Sequence, residues 1–87
     1  MSLRRSITHI AHPREPVVER WCLTTRRGEI VFVSRIDLPH DQAMILLQAL
    51  DLPEPLRWQF DRPQAHAFIT QLHHLILRSG GKAVRRV

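Results

Sequence analysis

Two segments of this 87-residue chain share one pattern, and that pattern constrains the fold more than any other feature of the sequence. When Ile36 is aligned with Phe60, the chain matches itself without a gap, and five further pairs have related residues: Asp37 with Asp61, Pro39 with Pro63, Ala43 with Ala67, Met44 with Phe68 and Ile45 with Ile69. Proline is favoured in the first turn of a helix, and aspartate can accept the free amides there. The pattern therefore predicts two places where a strand passes into a helix.

Residues 17–25 and 29–37 are predicted as strands because both are rich in Val, Ile, Thr, Trp and Phe. Arg26-Arg27-Gly28 separates them, and Gly28 supplies the positive φ that a tight turn requires. A two-residue loop would pair Leu23 with Phe32 on the core side and Arg20 with Arg35 on the other side. A longer loop would separate the two arginines, since strand register follows loop length.

The first copy of the pattern predicts a helix over residues 39–50. Ala43, Leu46, Leu47 and Leu50 form one apolar stripe, while Met44 and Ile45 lie elsewhere on the circumference, so this helix would be apolar nearly all round. The second copy predicts a strand over residues 56–60 and an amphipathic helix that begins at Pro63 and ends at Gly80-Gly81.

These elements predict a small single α+β domain in the order β-β-α-β-α, with a three-stranded sheet and two helices packed on one face. The domain is expected over residues 17–79. A flexible basic arm over residues 1–16 and a flexible basic tail over residues 80–87 are expected to flank it.

Thirteen basic residues against eight acidic ones give the chain a net charge of +5. Twelve of the thirteen are arginine, which suits bidentate contacts to phosphate or carboxylate, although a GC-rich genome would give the same excess. Residues 1–35 and 78–87 each carry +4, whereas residues 36–77 carry −3. Basic ends of this kind can attract nucleic acid or an acidic protein.

No apolar run reaches the length of a membrane span, and the amino-terminal residues lack the apolar core of a signal peptide. Cys22 is the only cysteine, so the chain has no internal disulfide framework. A cytoplasmic protein with no membrane partner is expected.

No residue pattern predicts catalysis, a cofactor, a metal site or a small-molecule substrate. His9 and His12 have no further ligands beside them, and His66 and His73 are two helical turns apart, too far to share one ion. Cys22 has no nucleophile motif around it. Capping accounts for Asp37 and Asp61. The chain is therefore not expected to be an enzyme.

The apolar excess of the first predicted helix favours a protein-interaction module of the accessory, adaptor or inhibitor type, which binds a protein partner or itself. Its apolar helix and its Arg-rich hairpin would form the contact. The residues expected to bind the partner are Met44, Ile45, Val31 and Val33.

Nucleic-acid binding with little sequence selectivity is the alternative. A basic hairpin and basic tails can contact phosphates and release counterions. The chain has no Tyr and five aromatic residues in all, so base stacking is poorly provided for. The residues expected to contact an anion or a nucleic acid are Arg20, Arg26, Arg27, Arg35, Arg85 and Arg86.

Overall fold

The computed structural model describes residues 16–87, which form five strands and one helix. The strands are β1 (Val17–Thr24), β2 (Ile30–Leu38), β3 (Gln42–Ala49), β4 (Leu56–Asp61) and β5 (Lys82–Arg85), and helix α1 is Arg62–Arg78. All neighbouring strands are antiparallel, and the sheet order is β4-β3-β2-β1-β5. The expected amino-terminal arm lies outside the described residues, except for residue 16.

The predicted β-β-α-β-α fold with a three-stranded sheet and two helices is wrong, because most of the first predicted helix is strand β3. Pro39 does not open a helix. The two residues after it, His40 and Asp41, have φ angles of 64° and 59°, which reverse the chain into a hairpin between β2 and β3. Because β3 carries apolar side chains on both of its faces, its sequence looks like a helix that is apolar all round.

The second copy of the pattern does pass from a strand into a helix, as predicted. The side chain of Asp61 accepts the backbone N–H of Gln64 at 2.8 Å, and Pro63 lies in the first turn. The helix ends where Gly80 and Gly81 donate to the carbonyls of Leu77 and Ile76, a Schellman motif with Gly80 at a φ of 93°.

Helix α1 brings the chain back across the sheet, so β5 pairs with β1 at the edge opposite β4. The segment expected to be a flexible tail therefore contains a strand. Gly81 begins this return, and a Cβ atom there would overlap the Thr24 carbonyl oxygen. The close approach of β5 to β1 needs a glycine at this position.

The core lies between α1 and one face of the sheet. Ile69 and Ala65 of the helix pack against buried side chains of β1, β2 and β3, of which Val33 and Ile45 have no exposed surface. Around them pack the half-buried side chains Trp21, Val31, Phe60, Phe68, Leu72, Ile76 and Ala83.

The predicted register of the first hairpin is shifted by one residue. A five-residue loop, residues 25–29, joins β1 to β2, so Leu23 pairs with Val31 and not with Phe32. A shift of one residue sends every β2 side chain to the other face. Val33 therefore enters the core, while Phe32 lies on the far side of the sheet with 38% of its surface exposed.

Candidate interaction surface

The surface of interest is the sheet face opposite α1, which we call the open face. Alternation along each strand and the cross-strand pairs define it: Cys22 pairs with both Phe32 and Val84, and Phe32 pairs with Gln48. In the part of the chain that the structure describes, the only helix lies on the other face, which we call the covered face. The exposed and half-buried open-face residues used below are Arg20, Cys22, Ile30, Phe32, Met44, Leu46, Gln48, Arg57, Lys82 and Val84, with Arg86 just beyond β5.

The centre of the open face is apolar. Ile30, Phe32 and Val84 are 41%, 38% and 50% exposed, and Cys22 lies between the last two as a half-buried free thiol. Two shallow depressions meet at Phe32. One is mostly apolar, and the other is lined by Arg20, Phe32, Gln48 and Arg86. A central aromatic ring with apolar neighbours on one side and cations on the other provides both packing and charge.

The open face is also positively charged. Arg20, Arg57 and Lys82 project from it, and the Arg86 amide donates to the Arg20 carbonyl at 2.7 Å, which holds the end of β5 beside β1. Arg20 Nε donates to the Ser34 hydroxyl at 3.0 Å, a neutral partner. Among residues 16–87, none of the ion pairs involves these four cations. No carboxylate of the described residues therefore forms an ion pair with them.

On the covered face, by contrast, several charged side chains form ion pairs with one another. Glu19 is only 7% exposed, and its two oxygens accept from Arg35 Nε at 3.0 Å and from Trp21 Nε1 at 2.9 Å. Arg35 also reaches Asp37 at 3.3 Å, and Arg62 lies 3.8 Å from the same carboxylate. Each of these charges has an opposite charge beside it. This network ties the start of α1 to the sheet and has a structural role.

The structure places the four expected partner-binding residues on different faces. Ile45 and Val33 are fully buried beneath α1, and Val31 packs half-buried against the same core. Met44 lies half-buried on the open face, beside Gln59 of β4. The four do not form one surface.

The expected anion-binding arginines are separated as well. Arg20 and Arg86 come together on the open face, whereas Arg35 is paired on the covered face. Arg85 lies on the covered face with its guanidinium 5.8 Å from the centre of the Trp21 ring. Arg26 and Arg27 are exposed in the loop between β1 and β2.

Phe32, Ile30 and Val84 were not predicted from the sequence as surface residues. The two-residue loop placed Phe32 on the core side, and with it Ile30, which lies two residues away on the same face of the strand. Val84 belonged to the expected tail. One signal could have found the first two: Thr25 and Glu29 both bracket the turn, where the Thr25 hydroxyl accepts the Glu29 amide at 3.0 Å. A Thr at that position favours a longer, side-chain-capped loop.

One histidine of α1 packs against an aromatic ring of the sheet. His73 packs against the Trp21 ring with 4.7 Å between ring centres, and the neighbouring His74 ring is 6.3 Å away. Within the described residues, no three metal-ligating side chains come together. Over the same range, no helix has the length and apolar character needed to cross a bilayer.

No protein-family model, no curated protein and no solved structure gives a significant match to this chain.

Proposed function

We propose that this chain is a small, non-enzymatic protein-interaction module that binds an acidic and apolar segment of a protein partner on its open face. The observation that carries the proposal is the exposed Phe32 ring, which has apolar neighbours on one side and Arg20 and Arg86 on the other. Exposed apolar patches with a polar rim are typical of sites that bind proteins.

The composition of the open face favours a protein ligand. Its apolar atoms belong mainly to aliphatic or sulfur-containing side chains, which pack against Leu, Ile or Phe of a partner. Val84 and Ile30 are the most exposed of them. Aromatic and arginine side chains carry a large share of the binding energy in many protein interfaces, and Phe32 and Arg86 supply both kinds.

The positive charge of the open face favours a ligand that carries carboxylates. Arginine forms bidentate hydrogen bonds to carboxylates, and such charge-assisted bonds are stronger than neutral ones. Arg20 is held in place by its bond to Ser34, which lowers the entropy lost when a carboxylate binds. The preferred ligand therefore combines Asp or Glu with large apolar residues.

One observation favours nucleic acid as a second candidate. Phe32, Arg20, Arg86 and Gln48 line one depression, and an aromatic ring beside arginines can stack a base while the arginines contact phosphate. Against this, Phe32 is the only aromatic side chain that the described strands place on the open face. A single stacking ring would give weak binding with a steep salt dependence.

A display selection with a random peptide library and the full chain as bait tests the proposal. We expect recovered peptides that combine Asp or Glu with Leu, Ile or Phe, and we expect Phe32→Ser and Arg86→Gln each to lower their affinity at least about tenfold. Arg78→Gln is the matched control, because it removes the same charge from an exposed position on the helix. It should leave the affinity unchanged.

The same variants titrated with labelled single-stranded and duplex oligonucleotides separate the two candidates. If oligonucleotides bind at physiological salt, lose affinity with Phe32→Ser, and no peptide is recovered, then nucleic acid is the ligand and the protein-binding proposal is wrong. Recovered peptides that bind Phe32→Ser and the native chain equally would also contradict it.

A further inference from the structure

Strand β4 forms one edge of the sheet, with β3 as its only neighbour among residues 16–87. Every second N–H and C=O along an edge strand points away from the sheet and can pair with another strand. β4 has six residues and contains no proline, and the structure records no bulge in its pairing with β3. It therefore has neither the proline nor the bulge that keep many natural edge strands from pairing.

We propose that a second copy of this chain pairs with β4, antiparallel, about a two-fold axis at Gln59. In that register Gln59 faces Gln59 of the second copy, and Trp58 faces its Phe60. Arg57 faces its Asp61. Because the axis repeats each contact, the interface has two aromatic pairs and two ion pairs around a central pair of amides, and the two sheets join into one.

The positions of Arg57 and Asp61 on β4 favour this register. Asp61 already accepts the Gln64 amide through Oδ1 at 2.8 Å, which leaves Oδ2 to accept from Arg57 of the second copy. An axis at Arg57 would instead place two arginines opposite each other, and like charges in direct cross-strand pairs are destabilising. The pattern Arg57-x-Gln59-x-Asp61 is complementary to itself only when the axis passes through Gln59.

Aromatic packing on the covered face supports the same register. Trp58 is 37% exposed and lies 5.6 Å from Phe68, while Phe60 lies 5.5 Å from the same ring, measured between ring centres. Pairing through Gln59 brings Trp58 of each copy beside Phe60 of the other, so two clusters of three rings become one. The exposed Leu56 precedes them on the same face of β4, with 44% of its surface accessible.

The opposite edge does not fit a second copy. β5 has only four residues, begins with Lys82 and ends with Arg85, followed by Arg86. Two β5 strands brought together would place cations beside cations, which is one way in which natural edges avoid pairing. The two edges of this sheet therefore differ in length and in charge pattern, and only β4 is self-complementary.

Light scattering after size-exclusion chromatography tests the assembly over a range of protein concentrations. We expect a mass that rises with concentration toward twice 10.2 kDa. Trp58→Lys should keep the chain monomeric, because a lysine on an edge strand opposes pairing. Val84→Lys is the matched control, an exposed apolar residue on the opposite edge, and should leave the dimer intact. Far-ultraviolet circular dichroism confirms that both variants are folded.

Arg57→Glu tests the charge pattern without removing apolar surface. It replaces two attractive pairs with two repulsive ones, and we expect the dimer dissociation constant to rise about tenfold, equivalent to about 1.4 kcal/mol. Arg27→Glu, an equal charge change in the exposed loop, should leave the constant unchanged. A mass that stays at one chain at every concentration, or an equal effect of both variants, would overturn the proposal.

Cysteine pairing tests the register itself, in a Cys22→Ser background. Gln59→Cys faces its own copy within the Cα separation of about 4.4–6.8 Å that a disulfide spans, so mild oxidation should link the two chains. The two copies of Arg57→Cys would be about 14 Å apart along the strands and should stay unlinked. Linkage of Arg57→Cys and not of Gln59→Cys would show that another register is used.

Discussion

The two faces of this sheet both carry apolar surface but use their charges in opposite ways. On the covered face Glu19 is bound by Arg35, and Asp37 lies between Arg35 and Arg62. On the open face Arg20 donates to a serine, and Lys82 and Arg86 are exposed at the edge. Charges that are paired and half-buried hold the helix in position, whereas exposed cations beside apolar surface provide a place for a ligand.

The covered face is therefore expected to determine the stability of the fold, and the open face is expected to determine ligand binding. A substitution on the covered face should lower the free energy of unfolding, and one on the open face should lower affinity while the fold remains intact. Urea unfolding measures each free energy.

Ile45→Ala should have the largest effect. Ile45 is fully buried between α1 and the sheet, and shortening such a side chain leaves a cavity. We expect the free energy of unfolding to fall by about 3 kcal/mol. Met44→Ala is the matched control, since this neighbour lies half-buried on the open face, and it should cost less than half as much. Equal losses at both positions would contradict the difference between the faces.

Glu19→Gln should come next. The new glutamine would keep an oxygen for the Trp21 ring N–H but would leave Arg35 without its nearest opposite charge. We expect a loss of about 2 kcal/mol, less than for a fully buried pair because the Arg35 side chain is 16% exposed. Glu29→Gln in the exposed loop should change stability by under about 0.5 kcal/mol. Similar values for both would show that the covered-face network is not structural.

Asp61→Ala should remove the cap of α1 and cost about 1 kcal/mol. Asp61→Asn keeps a side-chain oxygen for the Gln64 amide and should restore most of the stability. Comparing these two variants also tests the proposed dimer interface. An asparagine at position 61 would still cap the helix but would not neutralise Arg57 of the second copy. Asp61→Asn should therefore weaken the dimer while leaving the monomer stable.

Arg86→Gln should have the smallest effect on stability, under about 0.5 kcal/mol, since its side chain is exposed and the backbone bond to Arg20 remains. Its effect should be on binding, as proposed above. A loss of stability as large as that of Glu19→Gln would mean that the open-face cations hold the sheet together.

The sequence predicted strand β4 and helix α1 because their signals are local, although it did not predict strand β5. Asp61, Gln64 and Pro63 specify the start of a helix within four residues, and Gly80-Gly81 specify its end. The apolar face of α1 at helical spacing could be read directly. Nothing outside this segment was needed to find the helix.

The first half failed because its signals depend on the rest of the molecule. Met44 and Ile45 are adjacent apolar residues. This pattern fits a helix that is apolar all round as well as it fits a strand with two apolar faces. The choice depends on whether β2 and β4 lie on either side to form hydrogen bonds, which is a property of the whole sheet. Whether Phe32 is buried or exposed likewise depends on a one-residue shift in the register of β1 and β2.

Amide chemical-shift mapping by NMR shows which face of the sheet binds a ligand, when the tightest peptide recovered from the display selection is added to the full chain. We predict shifts at Cys22, Phe32, Gln48 and Val84, across four strands of the open face, and unchanged signals along the exposed side of α1. Shifts concentrated on α1, with the signal of Phe32 unmoved, would contradict the account.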